Sequence, residues 1–154
     1  MKLTKNFSLN EMTKSQTALR RGIDNEPNND EIDNLRLLCK NVLQPVREHF
    51  NKPVTINSGF RSSELNKAIG GSGTSDHCKG MAADIEIAGI DNYQIAQWIE
   101  DNCDFRQLIL EFYTPGVGDS GWVHVSYNIE DIDKKIMTAL KENGRTVYKL
   151  GLIA

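Results

Sequence analysis

The hydrophobic pattern changes period partway along the chain. Between Asp30 and Val46, apolar residues recur at three- and four-residue steps: Ile32, Leu35, Leu38, Cys39, Val42, Leu43 and Val46. That spacing predicts an amphipathic helix. From Met81 the period falls to two. Met81, Ala83, Ile85 and Ile87 alternate with Ala82, Asp84 and Glu86, the pattern of a strand with one buried face. Helices first and strands later predict an α+β fold, with N-terminal helices packed on a small antiparallel sheet. At 154 residues, the chain is expected to form a single domain spanning residues 1–154.

Local signals fill in this outline. Ser8 and Glu11 have capping-box spacing, so a short helix should follow and end by Gly22. Asn25 to Asp30 is a polar linker, and Pro45 is expected to bend the long helix. Val54 to Asn57 reads as a strand, and Ser63 can cap a helix through Ala68. Asp91 caps a helix from Asn92 to about Asp101, and strands follow at 105–112 and 122–127. Asn143-Gly144 predicts a hairpin between 135–140 and 146–150, although its first arm could also be helical.

Composition excludes several classes of function. No apolar run approaches the roughly 20 residues needed to span a bilayer, and Met1 to Ser8 lacks the apolar core of a signal peptide. Net charge is −3 with no long basic run, which argues against a nucleic-acid or membrane partner. The three cysteines are irregularly spaced and include no CxxC pair. They fit a reducing compartment rather than a disulfide framework or a thiolate zinc finger.

The chemistry concentrates between Ser75 and Asp84. His77 and Asp84 lie seven positions apart, and the chain has only three histidines. His49 sits at the polar end of the long helix and reads as a surface residue. His77 precedes a strand and His124 lies within one. An aspartate beside Ala83 and Ile85 would be costly to bury unless paired or ligating. His77, Asp84 and His124 therefore form a candidate zinc site with a position left for water. Cys78 adjoins His77 and reads as a small packed residue.

Zinc hydrolysis also needs a group that accepts the proton of the attacking water. Glu111 is the candidate. Pairing 107–113 with 121–127 as a hairpin puts Glu111 opposite or nearly opposite His124, on one face with Ile109, Trp122 and Ser126. Leu108, Leu110 and Phe112 then share the apolar face with Val123 and Val125. Asp119 competes for the role but reads as a turn residue.

These residues carry a family resemblance. Ser58-Gly59-Phe60-Arg61-Ser62, the Ser-x-His-x-x-Gly-x-Ala-x-Asp pattern from Ser75 to Asp84, and Trp122-Val123-His124 resemble the zinc D-alanyl-D-alanine carboxypeptidase family. That family includes phage cell-wall endopeptidases and is related in fold to the hedgehog signalling domain. The resemblance implies that His77, Asp84 and His124 bind zinc. It implies that Arg61 stabilises the polarised carbonyl or the substrate carboxylate, and that Ser75 contacts the peptide. An ion pair between Arg61 and Glu64 is the plainer alternative. Many relatives place the base three residues before the last ligand, where this chain has Gly121, so Glu111 is not carried over from that motif.

The expected activity is zinc-dependent hydrolysis of peptide bonds next to D-amino acids in the peptidoglycan stem peptide, as a carboxypeptidase or an endopeptidase. Tyr113 and Trp122 are candidates for the cleft walls, with core packing equally open for Trp122. A monomer is expected. It would sit in a host cytoplasm with holin-type release to the wall, or on a virion. The alternative is a zinc-containing cell-wall-binding or phage structural module without turnover.

Overall fold

The computed structural model describes residues 1–153. A two-stranded ribbon of β1 (Lys2–Thr4) and β2 (Phe7–Ser8) opens the chain, placing Leu3 and Phe7 in the core. The Ser8 capping box is formed, but the first helix is two: α1 (Leu9–Thr13) and α2 (Gln16–Arg21). Ser15 caps the second through the amide of Ala18, and Gly22 closes it in a left-handed conformation (φ 65°).

The predicted long helix begins at Asn28, whose side chain forms a second capping box with Glu31. It runs as α3 (Asn29–Leu38), widens into a π turn over Cys39–Leu43, and resumes as α4 (Gln44–Phe50). The bend expected at Pro45 is this wide turn. Proline lacks an amide hydrogen and its ring crowds the carbonyl one turn back. The π turn relieves both, with the Gln44 amide reaching back to the Cys39 carbonyl.

After β3 (Thr55–Ser58) come α5 (Ser63–Ala68), capped by Ser62, and a 3-10 turn at Asp76–Lys79. Then follow β4 (Ala82–Glu86), α6 (Asn92–Asn102), β5 (Gln107–Glu111), β6 (Trp122–Ser126), β7 (Lys135–Glu142) and β8 (Arg145–Leu150). The sheet order is β3-β4-β6-β5-β7-β8. All neighbours are antiparallel except β5 and β7, which are parallel. Asn143 and Gly144 both have positive φ (52° and 76°), as the predicted hairpin turn requires, and its first arm is a strand.

The sheet has one apolar face. Ala83, Ile85, Leu108, Leu110, Val123 and Val125 join Leu35, Leu38, Val42, Ile95 and Ile99 in one buried cluster. α6 packs on β5 and β6, and α4 packs on α6. The mixed α+β architecture is as expected. β4 differs from a half-exposed strand: Ala82 and Asp84 are buried as well, because the segments carrying Arg61 and His77 lie over that face. Among the described residues, no helix is long and apolar enough to cross a membrane.

Candidate metal centre

The polar face of the sheet gathers the chemistry. Asp84 on β4 pairs with His124 on β6, and Ile109 on β5 pairs with His124 from the other side. Cross-strand partners project to one face, so Asp84 and His124 are neighbours by register. His124 Nδ1 lies 2.9 Å from Asp84 Oδ1.

His77 comes from outside the sheet, on the 3-10 turn. Several contacts hold that turn. The Ser75 hydroxyl accepts from the His77 amide, and Gly80 ends the turn at φ 72°. A side chain on Gly80 would strike the Glu31 carbonyl, so the turn docks closely on α3. Asp76 pairs with Arg106 at 2.6 Å, and Arg106 pairs in turn with Asp131 at 3.0 Å. His77 Nδ1 lies 2.7 Å from the Gly59 carbonyl oxygen. A carbonyl only accepts, so Nδ1 carries a proton, and Nε2 is the nitrogen left to ligate a metal in exchange for any proton it holds. Nε2 faces Asp84 Oδ1 at 3.4 Å.

Two imidazole nitrogens thus converge on one carboxylate oxygen. All three donor atoms lie within 4.8 Å of one another. Zinc bonds of about 2.0–2.2 Å in a tetrahedron place ligand atoms roughly 3.4 Å apart; the two His–Asp separations are 3.4 Å and 2.9 Å. The donor set, the fixed tautomer of His77 and the convergence all fit zinc. Burial alone would push the Asp84 carboxyl up. The hydrogen bonds and charge of His124 and His77 outweigh it and hold Asp84 well below the usual carboxylate range. Burial would push His124 down, but Asp84 and Glu111 outweigh it, leaving His124 above the usual histidine value.

Arg61 approaches from the loop after β3. Its Nη2 lies 3.8 Å from Asp84 Oδ2, so its charge partner is Asp84 and not Glu64. Nε donates to the Ser58 hydroxyl and Nη1 to Asn66 Oδ1. Buried Asn66 is fixed in turn by donating to the Ser72 carbonyl at 2.7 Å. Gly71 must be glycine, because a side chain there would collide with the Asn66 amide. Neither Asn66 nor Gly71 stood out in the sequence. One looks like an ordinary helix residue and the other like one of several loop glycines.

Glu111 lies on the same face, opposite Trp122, two pairs along from the Ile109–His124 pair. It lines a cleft of about 840 Å³ with Arg61, His77, Asp84 and His124. Burial pushes its carboxyl up, only partly offset by the charge of His124. The buried Trp122 indole N–H lies near the Glu111 carboxylate and favours its ionised form.

Phe112 overturns one expectation. It has a left-handed backbone (φ 55°), which takes its side chain out of strand alternation. Its ring leaves the apolar face and joins Trp122 on the cleft wall, 5.5 Å between centroids. Tyr113 takes the buried place instead and donates to Asp91 at 2.8 Å, so it does not wall the cleft. Ser75 lines the cleft with its hydroxyl engaged in the turn. Cys78 is half-buried outside the convergent triad, and burial pushes its thiol up. His49 is exposed, stacked on Trp98 at 4.6 Å.

A family model described as Peptidase M15 matches residues 5–126, from before α1 to the last residue of β6. No curated protein matches the chain.

Proposed function

Because the chain belongs to the peptidase M15 family, whose members are zinc-dependent, we propose that it is a peptidoglycan peptidase cleaving peptide bonds next to D-amino acids. The observation that carries this reading is the His77–Asp84–His124 triad sharing one cleft with the Glu111 carboxylate. Residues 1–154 act as one peptidase domain in this reading, since β7 pairs directly with β5 of the matched region.

His77 Nε2, Asp84 and His124 Nδ1 would hold the zinc, which supplies Lewis-acid polarisation of the scissile carbonyl. Glu111 accepts a proton from the attacking water on its carboxylate and returns it to the leaving amine nitrogen. A carboxyl raised by burial suits both halves of that exchange. Arg61, held in place by Ser58 and Asn66, offers a fixed cation to the developing oxyanion or to a substrate carboxylate. Ser75, at the cleft edge, contacts the peptide backbone. Gly121, where many relatives carry a base, has a packing reason of its own: a side chain there would collide with the Glu111 carbonyl.

The test is digestion of purified peptidoglycan by wild type, Glu111→Gln and His77→Ala, with mass spectrometry of the products. Wild type releases peptide fragments whose masses name the bond. Glu111→Gln keeps its zinc and loses roughly 10²–10⁴-fold in kcat, with the acid limb of the wild-type pH profile above the usual carboxylate range. His77→Ala loses zinc and activity together. Full turnover by zinc-loaded Glu111→Gln would defeat the mechanism.

A further inference from the structure

The cleft extends past the residues that the family model matches. That match ends at residue 126, yet Lys141 and Tyr148 line the same cleft as His77, His124 and Glu111. Register explains their placement. Ala139 on β7 sits beside Glu111 on β5, and Tyr148 on β8 sits beside Ala139. Side-by-side residues share a face, so Glu111, Ala139 and Tyr148 form a row across three strands. Lys141, two residues beyond Ala139, stands on that face too. Ala139 is fully buried and carries only a methyl group. The Glu111 carboxylate flanks it on one side and the Tyr148 ring on the other. Tyr148 keeps 54% of its surface exposed, so its ring is open to packing by a ligand.

Charge singles out Lys141. Of the three Lys and Arg side chains lining the cleft, Arg61 faces Asp84, and Arg106 is shared by Asp76 and Asp131. Among the described residues Lys141 pairs with no carboxylate, while Glu142 next to it pairs with Lys149. Neutral groups hold Lys141: its ammonium donates to the Thr146 hydroxyl at 3.0 Å and lies 5.5 Å from the centre of the Phe112 ring. A lysine has three N–H donors. One is used, and the others have no counter-charge among the described residues.

We propose that the β7–β8 hairpin is the specificity wall of the cleft. Lys141 binds a free carboxylate carried by the substrate peptide next to the scissile bond, and Tyr148 packs on the aliphatic part of the residue carrying it. The inference rests on the peptidase reading and adds the substrate class: acidic peptides over their amidated counterparts. A carboxamide keeps the shape but loses the charge, so it removes what Lys141 recognises.

The test uses two stem-type peptides, identical except for a carboxylate or a carboxamide at the residue flanking the scissile bond. Binding is measured by calorimetry on zinc-loaded Glu111→Gln protein, and cleavage on wild type. The expected preference for the carboxylate peptide is about tenfold, the scale of one charge-assisted contact in a partly solvated cleft. Adding Lys141→Ala brings the binding ratio close to one, Lys141→Arg keeps most of it, and Tyr148→Ala weakens both peptides alike. In wild type the preference falls on KM rather than kcat. Equal binding of the two peptides, or a ratio that survives Lys141→Ala, overturns the assignment. Because binding is read without hydrolysis, absence of cleavage by wild type would count against the peptidase reading alone, and the binding ratio would still decide the role of Lys141.

Discussion

Gly121 occupies the place where a Glu-x-x-His motif would carry its acid, and its surroundings exclude one. Its backbone is left-handed (φ 62°), and a side chain would run into the Glu111 carbonyl and the Phe112 backbone. The carboxylate arrives from the partner strand instead. Gly121→Ala is expected to cost about 2 kcal/mol or more in stability, read as a fall in the urea midpoint, from left-handed strain plus the collision. Adding Gly121→Glu to Glu111→Gln should leave peptidoglycan digestion at the level of the single variant; recovery would mean that the acid can act from position 121. At this scale the residues of the candidate metal site were legible as a group, because His and Asp have few reasons to sit among apolar strand residues. Phe112 was not, since one left-handed residue reverses a side chain without changing the hydrophobic pattern. The supports of Arg61 were equally hidden, because hydrogen bonds between loops leave no periodic trace.

The 3-10 turn is the element that completes the site, and it belongs to neither the sheet nor a long helix. Its stiffness comes from outside: the Ser75 cap, Asn34 donating to the Lys79 carbonyl at 2.9 Å, and the Asp76–Arg106–Asp131 chain. Arg106→Ala is expected to cost about 1–3 kcal/mol in stability, because it leaves the nearly buried Asp76 carboxylate without its partner. Zinc affinity should fall by about 10–100-fold, the usual effect of loosening the groups behind a ligand. Competition with a chromogenic chelator measures it, and unchanged affinity would mean that the turn holds itself. Strands and capped helices were readable here because alternation and capping are local. The break between α1 and α2 and the π turn were not, since both satisfy backbone groups by routes that leave the apolar spacing intact.

For the whole molecule, the metal site links stability to pH. In the metal-free protein the His124 pKa is raised, so His124 contributes stability that is fully present below about pH 6.5 and lost as pH rises through its folded value. The Asp84 pKa is lowered, so Asp84 contributes stability present above about pH 4 and lost as pH falls through its folded value. In the proposed site, zinc would take the place of the His124 proton. Chelator-treated protein should therefore lose Tm as pH rises past neutrality, and zinc-loaded protein should not. The separation between the two melting curves should shrink on acidification. Matching pH profiles with and without chelator would mean that no proton is exchanged for the metal. The class of the fold was legible at this scale from the change in hydrophobic period. The parallel junction of β5 and β7 was not, because a strand alternates in the same way whichever direction its neighbour runs.

That junction also sets an order of assembly. His77, Asp84, Glu111 and His124 all precede β7. A ribosome delivers them first, and the strand that closes the cleft emerges only afterwards. In the proposed reading the nascent chain would take up its metal while the site is still open on that side. The hairpin then docks against an edge that is already organised, so exchanging it between relatives is a route to new substrate preferences that leaves metal loading untouched.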